Sequence, residues 1–153
     1  MTEAVSPELF AALAADPLAE LLGIHIESIA PGFARARMTV GAGVMNAAGA
    51  GHGGATMALI DVIHAAVSNS HGTLAVAQEV HTEFLAAGRL GDELVCEGVE
   101  LSRTRRTAVY RIEVRAEPRE GQDEPTLIAT ALARVFRIGD PWLPAEGGAG
   151  ASG

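Results

Sequence analysis

Residues 49–61 read "GAGHGGATMALID" and hold the residue types best suited to chemistry in this chain. Gly53 and Gly54 stand where a long apolar segment begins. A helix start leaves backbone N–H groups without partners and carries a partial positive charge. Glycine there lets a ligand approach closely, so the terminus can bind a phosphate or polarise a carbonyl. The same glycines can instead serve a turn or tight packing. Asp61 lies among Ala58, Leu59, Ile60, Val62 and Ile63. Burying a lone carboxylate is costly, and an apolar pocket is how a general base or nucleophile is tuned. Pairing with His64 or a place on an exposed stripe are the bland alternatives.

The spacing of the two candidates is informative. Eight residues of helix separate Gly53 from Asp61 by about 12 Å. A donor and a base acting on one carbonyl must each lie near 3 Å from the reacting atoms. Both can serve one reaction only if a second copy of the chain completes the site. His52, just before the helix, reads equally as a cap or a catalytic residue, and Asn46 has a turn residue as its plain reading. His25 and His81 fall on strands, His64 on the helix and His71 near its end; these read as structural or surface groups. No HxH or HExxH spacing exists, so no metal site is expected. In "SRTRRTAVYR", Arg103, Arg105 and Arg106 form either a solvated turn or a clamp for phosphates. The single cysteine, Cys96, reads as a buried apolar residue.

Elements must position these groups. The 153 residues, 48% hydrophobic and 20% charged, fit one globular domain. A net charge of −8 argues against a nucleic-acid binder. No stretch approaches the roughly 18 apolar residues of a membrane span, and "MTEAVSPELF" lacks a signal-peptide pattern, so a cytoplasmic protein is expected. "SPELFAALAADPLAELL", residues 6–22, predicts a helical segment split at Pro17 and ended by Gly23. Residues 24–29 and 33–40 read as strands, with Ala34, Ala36, Met38 and Val40 sharing one face. Residues 53–70 read as one helix apolar all round, stopped by a C′ glycine at Gly72. Four strands follow, near 74–85, 93–102, 107–115 and 126–138. The domain is expected to end at 139, with 140–153 a flexible Gly/Ala/Pro tail. The order predicts an α+β fold with an antiparallel sheet curled around one buried helix, whose remaining surface and outer sheet face need a second subunit.

In this order, Asn46, "HGG" at 52–54, "LID" ending at Asp61, "NSHG" at 69–72, "FL" at 84–85, "GDEL" at 91–94, "TAVYRIEV" at 107–114 and "RIG" at 137–139 form a pattern. It resembles the hot-dog-fold acyl-CoA thioesterases, in particular the PaaI-type branch of phenylacetic acid degradation. The similarity runs from about residue 16 to 139. The resemblance implies hydrolysis of an acyl-CoA to a free acid and coenzyme A. The acyl group would be an aryl acid such as phenylacetyl or its hydroxylated form. No separate cofactor is implied, because coenzyme A belongs to the substrate. Active sites would form across a homodimer, with dimers pairing into a homotetramer. Asp61 would attack the thioester or activate water, the Gly53 N–H would polarise the carbonyl, and His52 and Asn46 would support it. Gly54, Gln78, Arg103, Arg105 and Arg106 complete the expected substrate-binding set. Two departures stand out. Ala86 and Ala87 follow "FL" where the family often has Pro. Ala77, Gln78 and Glu79 stand where some relatives carry a hydroxyl, which Gln78 replaces if it points inward with Val76 and Val80. A hot-dog dehydratase or hydratase would need His five residues after Asp61, where this chain has Ala66. A non-catalytic acyl-CoA-binding oligomer is the remaining alternative.

Overall fold

A computed structural model describes residues 3–143. Helix α1 (Pro7–Ala14) starts where the Ser6 hydroxyl accepts the Leu9 N–H, and α2 (Pro17–Leu22) where Asp16 accepts the Leu18 and Ala19 N–H groups. Pro17 opens the second helix, because its missing N–H costs nothing at a first helical position. Gly23, at φ 68°, closes it in the left-handed conformation that glycine adopts freely. Strands β1 (His25–Ala30) and β2 (Phe33–Thr39) and a short 3-10 turn (Ala42–Val44) lead to α3 (Gly53–Ser68). Then come β3 (Thr73–Phe84), β4 (Glu93–Arg103), β5 (Thr107–Ala116) and β6 (Thr126–Pro141).

The strands form one sheet in the order β1-β2-β4-β5-β6-β3, every neighbouring pair antiparallel. This is the expected α+β arrangement, with α3 against one face. Alternation decides which side chains meet it. Ala34, Ala36, Met38 and Val40 are buried, as are Ala108, Tyr110, Ile112 and Val114. Leu59, Ile60, Ile63 and Val67 of α3 fill the space between. The helix comes closest at Gly98 of β4, where an added Cβ would lie 2.8 Å from Ile63 Cγ2 and 3.2 Å from Val67 Cγ1. Any larger residue there would lift the helix from the sheet.

Three expectations need correction. Helix α3 ends at Ser68 rather than 70. Asn69 is its C-cap, its amide donating to Ala65 O (2.9 Å) and its Oδ1 accepting the Ala75 N–H (2.8 Å). Gly72, at φ 77°, instead shapes the turn into β3. Strand β6 continues to Pro141, the Trp142 N–H donates to Gly72 O (2.9 Å), and Trp142 and Leu143 pack on the core. The expected tail at 140 therefore begins in ordered structure, and 144–153 lie outside the described residues. Nor is α3 buried all round within one chain. Gly54, Asp61 and Ala65 are exposed and Ala58 is half-buried. These four positions share one stripe of a 3.6-residue helix.

The outer sheet face is not uniformly in need of cover. Across β1, β2 and β4, Arg35 bridges Glu27 and Glu97, and Arg37 bridges Glu27 and Glu117, which follows β5. Exposed apolar residues gather at the other end, with Val76, Leu132 and Phe136 on β3 and β6. No helix among the described residues is long and apolar enough to cross a membrane.

Candidate active site

The loop before α3 is held chiefly by its backbone. Asn46 Oδ1 accepts the Ala48 and Ala50 N–H groups (2.9 and 3.1 Å), and the Asn46 N–H donates to Ala50 O (2.7 Å). The side-chain oxygen is thus occupied in shaping the turn, and the amide nitrogen, the atom that could support a carbonyl, has no partner among the described residues. Gly51 donates to Gly88 O (2.8 Å), so close that an added Cβ would sit 3.3 Å from that oxygen. The Gly88 segment is itself clamped. Arg119 reaches the Asp92 carboxylate (2.7 Å) and Ala87 O (3.0 Å), and the Arg89 N–H donates to Asp92 (2.8 Å). Burial pushes the Asp92 carboxyl upward, but the hydrogen bonds from Arg119 and Arg89, aided by their charges, win and hold it below its ordinary value.

His52 follows, its N–H on Val44 O (2.8 Å). It is the N-cap of α3, and Nδ1 accepts the Gly54 N–H at 2.8 Å. Two consequences follow. The Gly54 amide, expected in the substrate-binding set, is already engaged. The Gly53 N–H, by contrast, has no acceptor among the described residues. A neutral imidazole accepting at Nδ1 carries its proton on Nε2, so His52 presents a second donor beside the first. Phe84 stands against this terminus, since a Cβ on Gly53 would lie 3.5 Å from Phe84 Cε1 and Cζ.

Asp61 occupies the exposed stripe of α3. Within one chain it is not enclosed by an apolar pocket, which corrects that expectation: its flanking aliphatic residues point to the core while it points out. It makes no ion pair or hydrogen bond with His64. That histidine is 1% exposed, lies edge-on to Tyr110 (5.7 Å, 60°), and its Nε2 has no partner among the described residues. Burial lowers the His64 pKa, against a smaller upward pull from Asp61. His64 is a buried structural residue, one of the two readings, structural or surface, that the sequence left open. The chain does not bring Gly53 and Asp61 together; they remain about 12 Å apart along one helix.

The other candidates divide. Gln78 falls at a bulge between Ala77 and Glu79, where the register of β3 against β6 shifts. The bulge breaks the alternation, so Val76 is exposed opposite Phe136 while Val80 packs on the core. Gln78 is itself exposed and does not share an inward face with both valines. Arg103 is tied to Glu100 at 3.3 Å, a carboxylate also engaged by His71 (3.0 Å) and Tyr110 (3.4 Å). Arg105 and Arg106 are exposed at the β4–β5 turn, with no carboxylate within 4.0 Å among the described residues. Arg137, missed in the sequence, joins them from β6 by donating to Thr104 O (2.6 Å). Burial pushes the Cys96 thiol far upward, as befits an inert core residue. Among the described residues, no three His, Cys, Asp or Glu side chains gather as a metal site requires.

Comparison with known proteins gives this geometry a family. The thioesterase superfamily model matches residues 48–121, which include the helix start, Asp61, β3 and β4. The chain is 38% identical over 99 residues to the acyl-coenzyme A thioesterase PaaI of Escherichia coli, covering 65% of this chain and 71% of that one. The structure of the E. coli PaaI protein from the phenylacetic acid degradation operon superposes with a TM-score of 0.79 at 32% identity, over 86% of this chain and 91% of that one. A Streptococcus pneumoniae thioesterase protein solved with coenzyme A superposes at 0.70 with 25% identity, over 77% and 88% of the two chains. The chain belongs to the thioesterase superfamily, in its PaaI-type hot-dog branch, and is a thioester hydrolase.

Proposed function

We propose that the protein hydrolyses an aryl acyl-CoA, such as phenylacetyl- or hydroxyphenylacetyl-CoA, in the cytoplasm, at sites shared between two copies of the chain. The observation that carries the reading is a Gly53 N–H without an acceptor among the described residues, on the same helix as an exposed Asp61 and too distant from it to act on one bond within one chain. In a dimer, the thioester carbonyl oxygen of one site accepts from Gly53 N–H and His52 Nε2–H of one copy. These donors strengthen as negative charge develops on that oxygen. Asp61 of the other copy either attacks the carbonyl carbon, giving a mixed anhydride that water then hydrolyses to the free acid, or takes a proton from the water that attacks directly. The C–S bond breaks, and coenzyme A leaves as the thiolate or, with a proton, the thiol. The aryl preference rests on the likeness to PaaI.

Two features support the shared site. The stripe Gly54, Ala58, Asp61 and Ala65 bears only small side chains beside the acid, so another backbone can approach it closely. Strand β3 ends the sheet order and leaves a twelve-residue edge that pairs with no other strand among the described residues. Pairing through β3 gives a dimer, and the apolar outer surface at Leu132 and Phe136 is then available to join dimers as a tetramer.

Release of free thiol from a panel of acyl-CoA compounds tests the activity. Asp61→Asn is expected to lose at least about a hundredfold in kcat; full activity in that variant overturns its role. Gly53→Pro removes the N–H, and the first helical position tolerates proline. Mixing the two inactive variants is expected to restore activity in mixed dimers. No recovery despite confirmed mixing overturns the shared site.

A further inference from the structure

The two donors assigned to the thioester oxygen stand at the end of a loop that is tied almost wholly to itself. Among the described residues, the backbone N–H groups of residues 44–52 that make hydrogen bonds donate within residues 41–52, with one exception. The exception is Gly51, whose N–H donates to Gly88 O (2.8 Å). The contact is backbone on backbone: a Cβ on Gly51 would lie 3.3 Å from that oxygen, and one on Gly88 3.8 Å from Gly51 Cα. Glycine admits so close an approach, but it has no side chain to lock the peptides in place. The direction of the Gly88 carbonyl must be fixed from elsewhere.

Arg119, in the connection between β5 and β6, supplies that support. Its Nε donates to Asp92 Oδ1 (3.2 Å) and its Nη2 to Asp92 Oδ2 (2.7 Å) and to Ala87 O (3.0 Å). Ala87 O belongs to the peptide that enters Gly88. The other end of the segment is tied to β2, where the Val40 N–H donates to Asp92 O and the Gly91 N–H to Val40 O (both 2.8 Å). The Arg119 and Asp92 side chains are 12% and 8% exposed, so water competes little for a two-pronged, charged pair. Residues 87–92 thus form a fixed shelf on which Gly51 rests.

We propose that Arg119 and Asp92 are positioning residues for thioester hydrolysis. Through Gly88 O and the Gly51 N–H they set the places of His52 and Gly53, which follow directly in the chain. The role rests on the shared-site reading above, and the pair acts through the loop, not on the substrate. Donors to a developing oxyanion must keep their places within about 0.5 Å. A shift of about 1 Å caused by a remote change can cost about a hundredfold in rate. An ion pair that served folding alone could anchor this segment at any point. Here its third bond falls one peptide from the carbonyl that holds the helix start.

The test compares two clamp variants with a control. Arg119→Met removes the clamp, and Arg119→Met/Asp92→Asn removes it without leaving a lone carboxylate buried. Ile29→Ala takes a 1% exposed side chain from the core beside the Gly32–Ser70 contact, at the other end of α3, and lowers stability there. At a temperature where circular dichroism shows all of them folded, both clamp variants are expected to lose about tenfold to a hundredfold in kcat for acyl-CoA, with KM changed less than about twofold. Amide exchange followed by NMR is expected to be at least about tenfold faster at Gly51 in the clamp variants. The control keeps kcat and Gly51 exchange near wild type. In a His52→Ala background the kcat loss from Arg119→Met is expected to shrink at least about threefold, because one of the donors it places is already gone. Wild-type kcat in both clamp variants overturns the proposal. So does wild-type exchange at Gly51, or an equal kcat loss in Ile29→Ala, which makes the pair a source of stability only. If His52→Ala and Gly53→Pro both keep full activity, the shared-site reading fails and the proposal falls with it, whereas failure of the clamp variants alone leaves that reading standing.

Discussion

Replacing His52 separates two roles that one ring performs. Its Nδ1 accepts the Gly54 N–H at 2.8 Å, while Nε2 carries the proton assigned above to the thioester oxygen. His52→Ala removes both. Losing an N-cap acceptor costs about 1 kcal/mol, and for a chain of this size that lowers Tm by roughly 3 °C. Losing one donor to a developing oxyanion costs about 10²–10³ in kcat. The lower end applies here, because His52 is exposed in the single chain and water can replace it in part. His52→Asn divides the two effects. Asn is among the best N-cap residues, so its side-chain oxygen can take the Gly54 N–H and return most of the lost stability. It does not reproduce the Nε2 donor, so kcat stays at least about tenfold below wild type. Thermal unfolding followed by circular dichroism gives the first quantity and thiol release the second. If His52→Asn restores the rate along with Tm, the ring acts only as a cap and the second donor must be abandoned. If His52→Ala leaves Tm unchanged, the cap contributes nothing.

The packing of α3 and the clamp on its entry loop give two further expectations. Gly98→Ala should destabilise by about 1–3 kcal/mol through overpacking, because the new Cβ falls 2.8 Å from Ile63 Cγ2. Combined with Ile63→Ala, which removes that methyl, urea unfolding should show a total loss at least about 0.5 kcal/mol below the sum of the single losses; strict additivity would refute the contact. Arg119→Met leaves the Asp92 carboxylate, 8% exposed, without its cation, and should cost about 3 kcal/mol at neutral pH. The sign of the pH effect follows from the lowered Asp92 pKa. In the wild type this stabilisation is complete above the unfolded carboxyl pKa, near 4, and is lost as pH falls through the lower folded value. The gap between wild type and variant should therefore shrink as pH is lowered below about 4. A gap constant down to about pH 3 would refute the pairing.

What the sequence disclosed and what it hid have physical reasons. Strand β2 was legible because one of its faces is buried and the other solvated, so Ala34, Ala36 and Met38 alternate with Arg35 and Arg37. The bulge at Gln78 was not, since it is a property of the register between β3 and β6, more than fifty residues apart in the chain. The contact of Arg137 with Thr104 was hidden for the same reason: β6 meets the β4–β5 turn only after the sheet has formed. Asp61 shows a subtler failure. Its nearest neighbours in sequence are aliphatic, but on a helix those neighbours point away from it. The residues that share its side are Gly54, Ala58 and Ala65, three or more positions off. Hydropathy counts these small residues as apolar, and the helix therefore read as buried on every side. Their size explains their position better than their hydropathy does. A stripe without bulky side chains loses little when exposed, and it lets another backbone come within reach of the carboxylate. In the dimer proposed above, a buried stripe would hide Asp61 from the substrate, and a stripe of large residues would hold a second copy's Gly53 too far from it.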